Sequence, residues 1–313
     1  MSAFPHHLLL VDKPAGPTSH DVVQAARRAI KERRIGHTGT LDPTATGLLL
    51  LCVGKATRLQ QFLLAWEKVY AGEIRLGLAT TTYDTEGTPL GPESPVPALD
   101  AARLAELECQ FTGELEQLPP PYSAKKSGGK KFYELARAGE PVPLEPKRVT
   151  VHSLRLSQDS PDRLSFEVTC SSGTYVRSLA HDLGQTLGCG GHLLSLRRLR
   201  IGPYLVEDAV GAEALALRPE AIPASALVSL SNLRLPFPDV SLNPTALAHF
   251  ARGQEVAVRD VEGAFGPGGL VSVRERGGEL IGVGSVVAYL PRARTLNMAP
   301  RMVLGPLEGS PKP

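Results

Sequence analysis

Two kinds of apolar pattern run along the chain. Near its start stand unbroken runs, Leu8–Val11 and "LLLLCV" at Leu48–Val53. Each has strand length and no polar alternation, which predicts strands buried on both faces. Between them Val22, Ala25, Ala26 and Ala29 follow a helical period. Thr18, with Asp21 three residues on, gives that helix a capping-box start. Farther along, Lys68–Gly77, Arg148–Ser157 and Arg163–Ser172 alternate, with Leu164, Phe166, Val168 and Cys170 on one face, as in half-buried strands. Helices are expected over Thr57–Ala65, Ala101–Phe111, Phe132–Ala138 (closed by Gly139) and Tyr175–Leu187. Strands outnumbering helices in this order predict an α+β domain on a mixed, mainly antiparallel sheet.

The texture changes over Pro223–Pro244, which is proline-rich and lacks a period. This places a domain boundary near residue 235, dividing 1–235 from 236–313. A short helix (Thr245–Phe250) and four glycine-broken apolar segments follow. They predict a small C-terminal β-barrel. The length of 313 residues fits two cores better than one.

A net charge of +2 does not by itself announce a polyanion partner, but the cations cluster. Arg27, Arg28, Lys31, Arg33 and Arg34 form one group. Lys125, Lys126, Lys130 and Lys131 form a second, and Arg197, Arg198 and Arg200 a third. Solvated faces are the ordinary reading of each group, and a basic surface for a polyanion is the reading of all three together. The four cysteines make no CxxC pair and lack histidines at zinc-finger spacing, so no structural metal site is expected. The apolar run at Leu8–Val11 is too short for a signal peptide, and no stretch is long enough to span a bilayer. A reduced, cytoplasmic setting is the expectation.

Candidate chemistry gathers in a few polar stretches. "GHTGTLDPTATG" (Gly36–Gly47) joins the basic helix to the buried Leu48 run. Asp-Pro is a common turn pair, yet a loop at the end of a buried strand is also a usual place for a site. Asp42 is therefore either a turn residue or a carboxylate acting as nucleophile, base or electrostatic stabiliser. His37 carries the same ambiguity, and Tyr70 is either a core aromatic or a stacking surface. In "CSSGTYVRSLAHDLG" (Cys170–Gly184) a strand gives way to a helix at whose mouth Tyr175 and Arg177 stand. Arg177 is suited to pair with a carboxylate. "PPPYSAKKSGGKKFYELARAG" (Pro119–Gly139) interleaves aromatics with lysines, a combination that suits looped RNA.

Taken in order, "VDKPAGPTS", "GHTGTLDPTATGLLLLCVGKATR", "KVYAGEIRLG", the Pro119 loop, "CSSGTYVRSLAHDLG" and "LLSLRRLRIGPY" resemble the motifs of bacterial tRNA pseudouridine synthases of the TruB type. The resemblance covers about residues 8–205. It implies the α+β pseudouridine synthase fold, with a PUA-like RNA-binding domain as the C-terminal barrel. It also implies the isomerisation of uridine 55 in the tRNA T-loop. By this resemblance Asp42 is the essential aspartate and His37 fills space left by nucleotides drawn out of the RNA. Tyr70 stacks on the target base. Tyr175 and Arg177 form the helix-mouth pair, with Arg177 facing Asp42, and Leu196 is a pocket wall. Lys13 and Pro14 match a structural "KP" motif. Thr44 departs from the pattern, which more usually has leucine there. An isomerisation without redox change implies no cofactor and no metal. The expected partner is the T-stem and loop of tRNA, bound by a monomer that needs no protein partner. Whether Asp42 attacks the base, attacks the sugar or abstracts a proton stays open at this level, as does a non-catalytic RNA-binding role for the same fold.

Overall fold

The structure, a computed structural model, describes residues 6–122, 126–127, 130–131, 145–217, 220, 222–276 and 278–304. The expected helix at Phe132–Ala138, and Lys125 of the second basic group, lie outside the described residues.

The chain opens with β1 (His7–Lys13), α1 (Ser19–Ile30), β2 (Ile35–His37) and β3 (Thr46–Val53). The capping box at Thr18 and Asp21 forms as the sequence suggests, with each residue bonding the other's backbone. β3 is buried from Gly47 to Val53, which contributes about 1.5–3 kcal/mol for each large apolar side chain. The expected helix at Thr57–Ala65 is shorter and tighter than its pattern implies. A 3₁₀ stretch, Gly54–Leu59, runs into a single α-turn, α2 (Gln60–Leu63).

There follow β4 (Lys68–Leu76), α3 (Ala101–Gln110), β5 (Gly113–Gln117) and a small ribbon of β6 (Lys126–Ser127) and β7 (Lys130–Lys131). The chain continues with β8 (Lys147–Ser160), β9 (Arg163–Cys170), α4 (Val176–Thr186) and β10 (Gly191–Ile201). Short strands β11 (Tyr204–Leu205), β12 (Val210–Gly211) and β13 (Leu227–Ser229) and helix α5 (Ala212–Leu217) follow. One mixed sheet holds them in the order β12-β1-β3-β10-β4-β9-β8-β5. Most neighbours are antiparallel, as expected. The exception that matters is β3 beside β10, parallel, with Arg197 opposite Thr46 and Arg198 opposite Gly47. That pairing brings the segment before β3 against the middle of β10, and β10 in turn places Arg198 opposite Tyr70 of β4.

The C-terminal part contains β14 (Asp239–Leu242), α6 (Pro244–Ala251), β15 (Val256–Val258), β16 (Leu270–Glu275), β17 (Leu280–Leu290) and β18 (Thr295–Val303). Its strands form a five-stranded sheet in the order β14-β16-β17-β18-β15. It has its own core around Phe250, Val271 and Met298. The two parts are nonetheless joined by apolar contact. Leu280, Val283, Met302 and Leu304 belong to the same buried cluster as Leu8, Leu50 and Leu59. The ring of Phe237 meets that of Phe62 edge-on at 5.5 Å. Arg274, buried in β16, pairs with Asp239 at 2.9 Å and donates to the carbonyls of Ser231, Leu233 and Gly278. A buried cation with this many partners stitches the proline-rich connection to the sheet.

Candidate active site

The turn that holds Asp42 runs from Thr38 to Ala45, between β2 and β3, and it is fastened from several sides. Ser19 at the start of α1 receives the N–H of Leu41 at 2.8 Å and returns its hydroxyl to the Leu41 carbonyl at 3.0 Å. The Gly16 N–H reaches the Pro43 carbonyl at 2.8 Å. Lys13, fully buried at the end of β1, donates to the carbonyls of Pro14, Pro43 and Ala45 at 2.7–3.1 Å. Burial lowers the Lys13 pKa, opposed by the nearby charge of Asp42 and reinforced by that of Arg198. From the opposite strand Arg198 donates to the carbonyls of Leu48 at 2.7 Å and Gly39 at 3.1 Å. Gly47 closes the turn at φ +102°, and a side chain there would meet the backbone of Arg198 at 2.3–2.9 Å. Only glycine lets β3 and β10 approach this closely.

Asp42 opens into a cavity of about 420 Å³ whose walls include Tyr70, Tyr175, Arg177, Leu196 and Lys68. Five of the six site residues expected from the sequence thus converge. His37 does not line this cavity. It sits on β2, where Gln60 donates to its carbonyl at 2.7 Å. Burial lowers its pKa, and the charge of Arg198 adds to the effect.

Arg177 lies in the first turn of α4 and reaches back across the cavity. Its Nε is 2.9 Å from Asp42 Oδ2, and its Nη2 donates to Oδ1 at 3.4 Å. Its other amino group serves a second carboxylate, Asp84, at 3.4 Å, and the Thr82 carbonyl at 3.0 Å. The exposures rank the three side chains. Arg177 and Asp84 are 9% and 7% exposed, whereas Asp42 is 38% exposed. Asp42 is the carboxylate open to the cavity, and Asp84 anchors the arginine from behind. Two carboxylates and a carbonyl fix a guanidinium in one plane.

Asp84 is a residue that pattern reading misses. Its segment, "TTTYDTEG", looks like an ordinary polar turn. The turn is built with care. Asp84 accepts from the Glu86 N–H at 3.0 Å and from the Thr82 hydroxyl, and Thr80 donates to its carbonyl at 2.7 Å. Tyr83 takes a positive φ of 64°, uncommon for a bulky residue. Its ring stacks on His181 of α4 at 3.8 Å, next to Arg177 on the same helix.

Tyr70 lies half-buried on β4 with the Arg198 guanidinium 6.0 Å from its ring centroid. Burial raises its pKa, while the Arg198 charge works the other way. The third basic group is therefore partly interior. Arg198 is buried, Arg197 forms a two-pronged pair with Asp12 at 2.8 and 3.0 Å, and Arg200 pairs with Glu67 at 2.7 Å. In the first group Arg27 turns inward to the Ile35 carbonyl at 2.7 Å, and Arg28, Lys31, Arg33 and Arg34 stay exposed.

A model of the TruB family pseudouridylate synthase N-terminal domain matches residues 27–176, and one of the tRNA pseudouridylate synthase B C-terminal domain matches residues 177–221. The seam between the two models falls inside α4, so it marks no break in the fold. The chain is similar to a protein named tRNA pseudouridine synthase B from Xanthomonas campestris pv. campestris (strain B100). The two are 43% identical over 285 residues, covering 90% of this chain and 91% of that one. It is 44% identical over 287 residues to a protein of the same name from Cupriavidus metallidurans, covering 89% and 90%. Among solved structures, a chain of a Cbf5-Nop10-Gar1 complex superposes with a TM-score of 0.75 at 25% identity, over 98% of this chain and 87% of that one. The chain belongs to the TruB family of pseudouridylate synthases, isomerases that act on uridine in RNA.

Proposed function

We propose that the protein converts uridine 55 of the tRNA T-loop to pseudouridine, acting on a base flipped out of the RNA. The observation that carries this reading is Asp42 at the mouth of a single-nucleotide-sized cavity, held there by Arg177 with Tyr70 alongside. The relatives' name supplies tRNA as the substrate. A stacked base cannot turn over, so the base must leave the helix before reaction. A cavity of about 420 Å³ lies in the range that encloses a small ligand.

In this reading the Asp42 carboxylate meets the reacting sugar or base, and Arg177 sets its direction. Tyr70 provides the flat face on which the freed uracil lies, Leu196 walls the cavity beside it, and Tyr175 shapes the rim. His37, outside the cavity, occupies space left in the RNA by the extruded nucleotide. Arg28, Lys31, Arg33 and Arg34 face phosphates, and residues 236–313, as a PUA-like unit, add RNA contacts. The enzyme works as a cytoplasmic monomer, without cofactor or protein partner.

Incubating unmodified tRNA with the wild-type chain and mapping pseudouridine at single-nucleotide resolution tests this. Modification is expected at position 55, and none in a tRNA carrying cytidine there. A product at a different uridine would move the assignment to that site. Asp84→Asn gives a finer check. It removes one charge from the arginine's anchor, a loss of ~1.4 kcal/mol or about tenfold in rate. RNA affinity is expected to stay within about twofold, because Asp84 is closed off from the cavity mouth by Arg177. An unchanged rate would mean that Asp42 alone positions the arginine.

A further inference from the structure

Lys68 begins β4 and is 6% exposed. It precedes Tyr70 by two positions, so the two side chains leave the strand on one face. Both line the cavity beside Asp42. The Lys68 ammonium donates to the Leu64 carbonyl at 2.7 Å and to the Trp66 carbonyl. An ammonium has three donors, so these two bonds leave one.

The charges around the cavity do not balance. Lys13, Lys68, Arg177 and Arg198 are all buried. The carboxylates among them are Asp42 and Asp84, and both are engaged by Arg177. Among the described residues no carboxylate forms an ion pair with Lys13, Lys68 or Arg198. Burying a cation without a partner costs several kcal/mol. Lys13 and Arg198 have a reason to be there, since their bonds hold the Asp42 turn. Lys68 fastens no part of that turn. Its neighbour Glu67 is taken by Arg200. The Lys68 charge is thus met by two carbonyls and by no carboxylate among the described residues.

The reaction supplies an anion. When the bond from N1 to C1′ breaks, its electron pair stays on N1, and the negative charge spreads over N1, O2 and O4 of the uracil. C5 then bonds to C1′, the C5 proton leaves, and N1 takes up a proton, so no atom or electron is gained overall. We propose that the Lys68 ammonium is a catalytic group that carries the negative charge of the detached uracil while the base turns on Tyr70. This rests on the cavity being the uridine-isomerising site proposed above. A backbone phosphate is the other anion the RNA brings, and it is separable by experiment. A phosphate contact is present before and after reaction and would appear in affinity, whereas the uracil charge exists only during turnover.

The charged and titratable groups that act on Lys68 are Arg198 on β10 and Cys170 on β9, and Tyr70 and Asp42 line the same cavity. Burial lowers the Lys68 pKa to about 8, and the charge of Arg198 adds to that. Burial pushes the Cys170 thiol up to about 11, so it stays neutral over the same range. The active ammonium is therefore present below about pH 8 and lost above it.

The test is the single-turnover rate at saturating T-loop RNA, with RNA affinity and thermal unfolding measured beside it, for Lys68→Met and Lys68→Arg. Lys68→Met is expected to slow the rate roughly 100-fold, the size typical of removing one preorganised charge partner, while affinity changes less than about threefold. Lys68→Arg is expected to keep at least about a tenth of the rate and to hold it above pH 8, where the wild type declines, since a guanidinium stays charged there. A wild-type rate in Lys68→Met overturns the proposal, as does a loss confined to affinity. If Lys68→Met does not fold, the pH profile of Lys68→Arg decides, and an alkaline decline identical to wild type overturns it. A wild-type chain that forms no pseudouridine in any RNA would instead sink the functional reading on which this one stands.

Discussion

Asp42→Asn is expected to abolish pseudouridine formation, slowing it by roughly 10³-fold or more, with RNA affinity close to wild type. The change keeps the shape of the side chain and removes its charge and its power to attack or to accept a proton. The turn beneath it does not depend on that charge, because its fastenings come from Ser19, Lys13 and Arg198 to backbone groups. Arg177 keeps its second carboxylate and its carbonyl, so the cavity should persist. Release of tritium from C5-labelled RNA reads the chemistry, and filter binding reads the affinity. Turnover within tenfold of wild type would remove Asp42 from the reaction.

Arg177→Met should fail in two ways at once. Turnover is expected to fall by about 10²–10³-fold, because the guanidinium that aims Asp42 is gone. Stability is also expected to fall, by about 3–5 kcal/mol, the range seen when one member of a buried pair is removed. The reason is Asp84, at 7% exposure with its cation lost. Arg177→Lys separates the two effects. A point charge can relieve Asp84, but it cannot bridge Asp42, Asp84 and the Thr82 carbonyl together. Its unfolding midpoint should recover more than its rate does. Equal recovery of both would mean that charge, and not the planar fork, is what the site needs.

The sequence displays what depends on neighbours along the chain. The apolar runs of β1 and β3 and the alternation of β4, β8 and β9 are local, so those strands are legible. β10 is not, because "RRLR" within "LLSLRRLRI" breaks any sheet pattern. Those arginines enter a sheet only because Asp12, Glu67 and the Leu48 and Gly39 carbonyls meet them there. The same pairing explains why a cluster that reads as a basic surface is partly interior. Asp42, Tyr70, Tyr175, Arg177 and Leu196 are recoverable through the order of the motifs. Asp84 and Lys68 acquire meaning only when a distant element is brought to them. A polar turn and a strand's first lysine look ordinary until Arg177 and the cavity stand beside them.

The parallel join of β3 to β10 also bears on when this enzyme comes into being. Asp42 meets an arginine 135 positions away, and its turn is held by another 150 positions from Leu48. Contacts of such separation form late, after the loop entropy between them has been overcome. A nascent chain emerging at roughly 5–20 residues per second has its aspartate outside the ribosome long before it has a cavity. Until β10 arrives, no half-made chain can present Asp42 in a formed pocket, so partial translation products should be silent toward RNA chemistry.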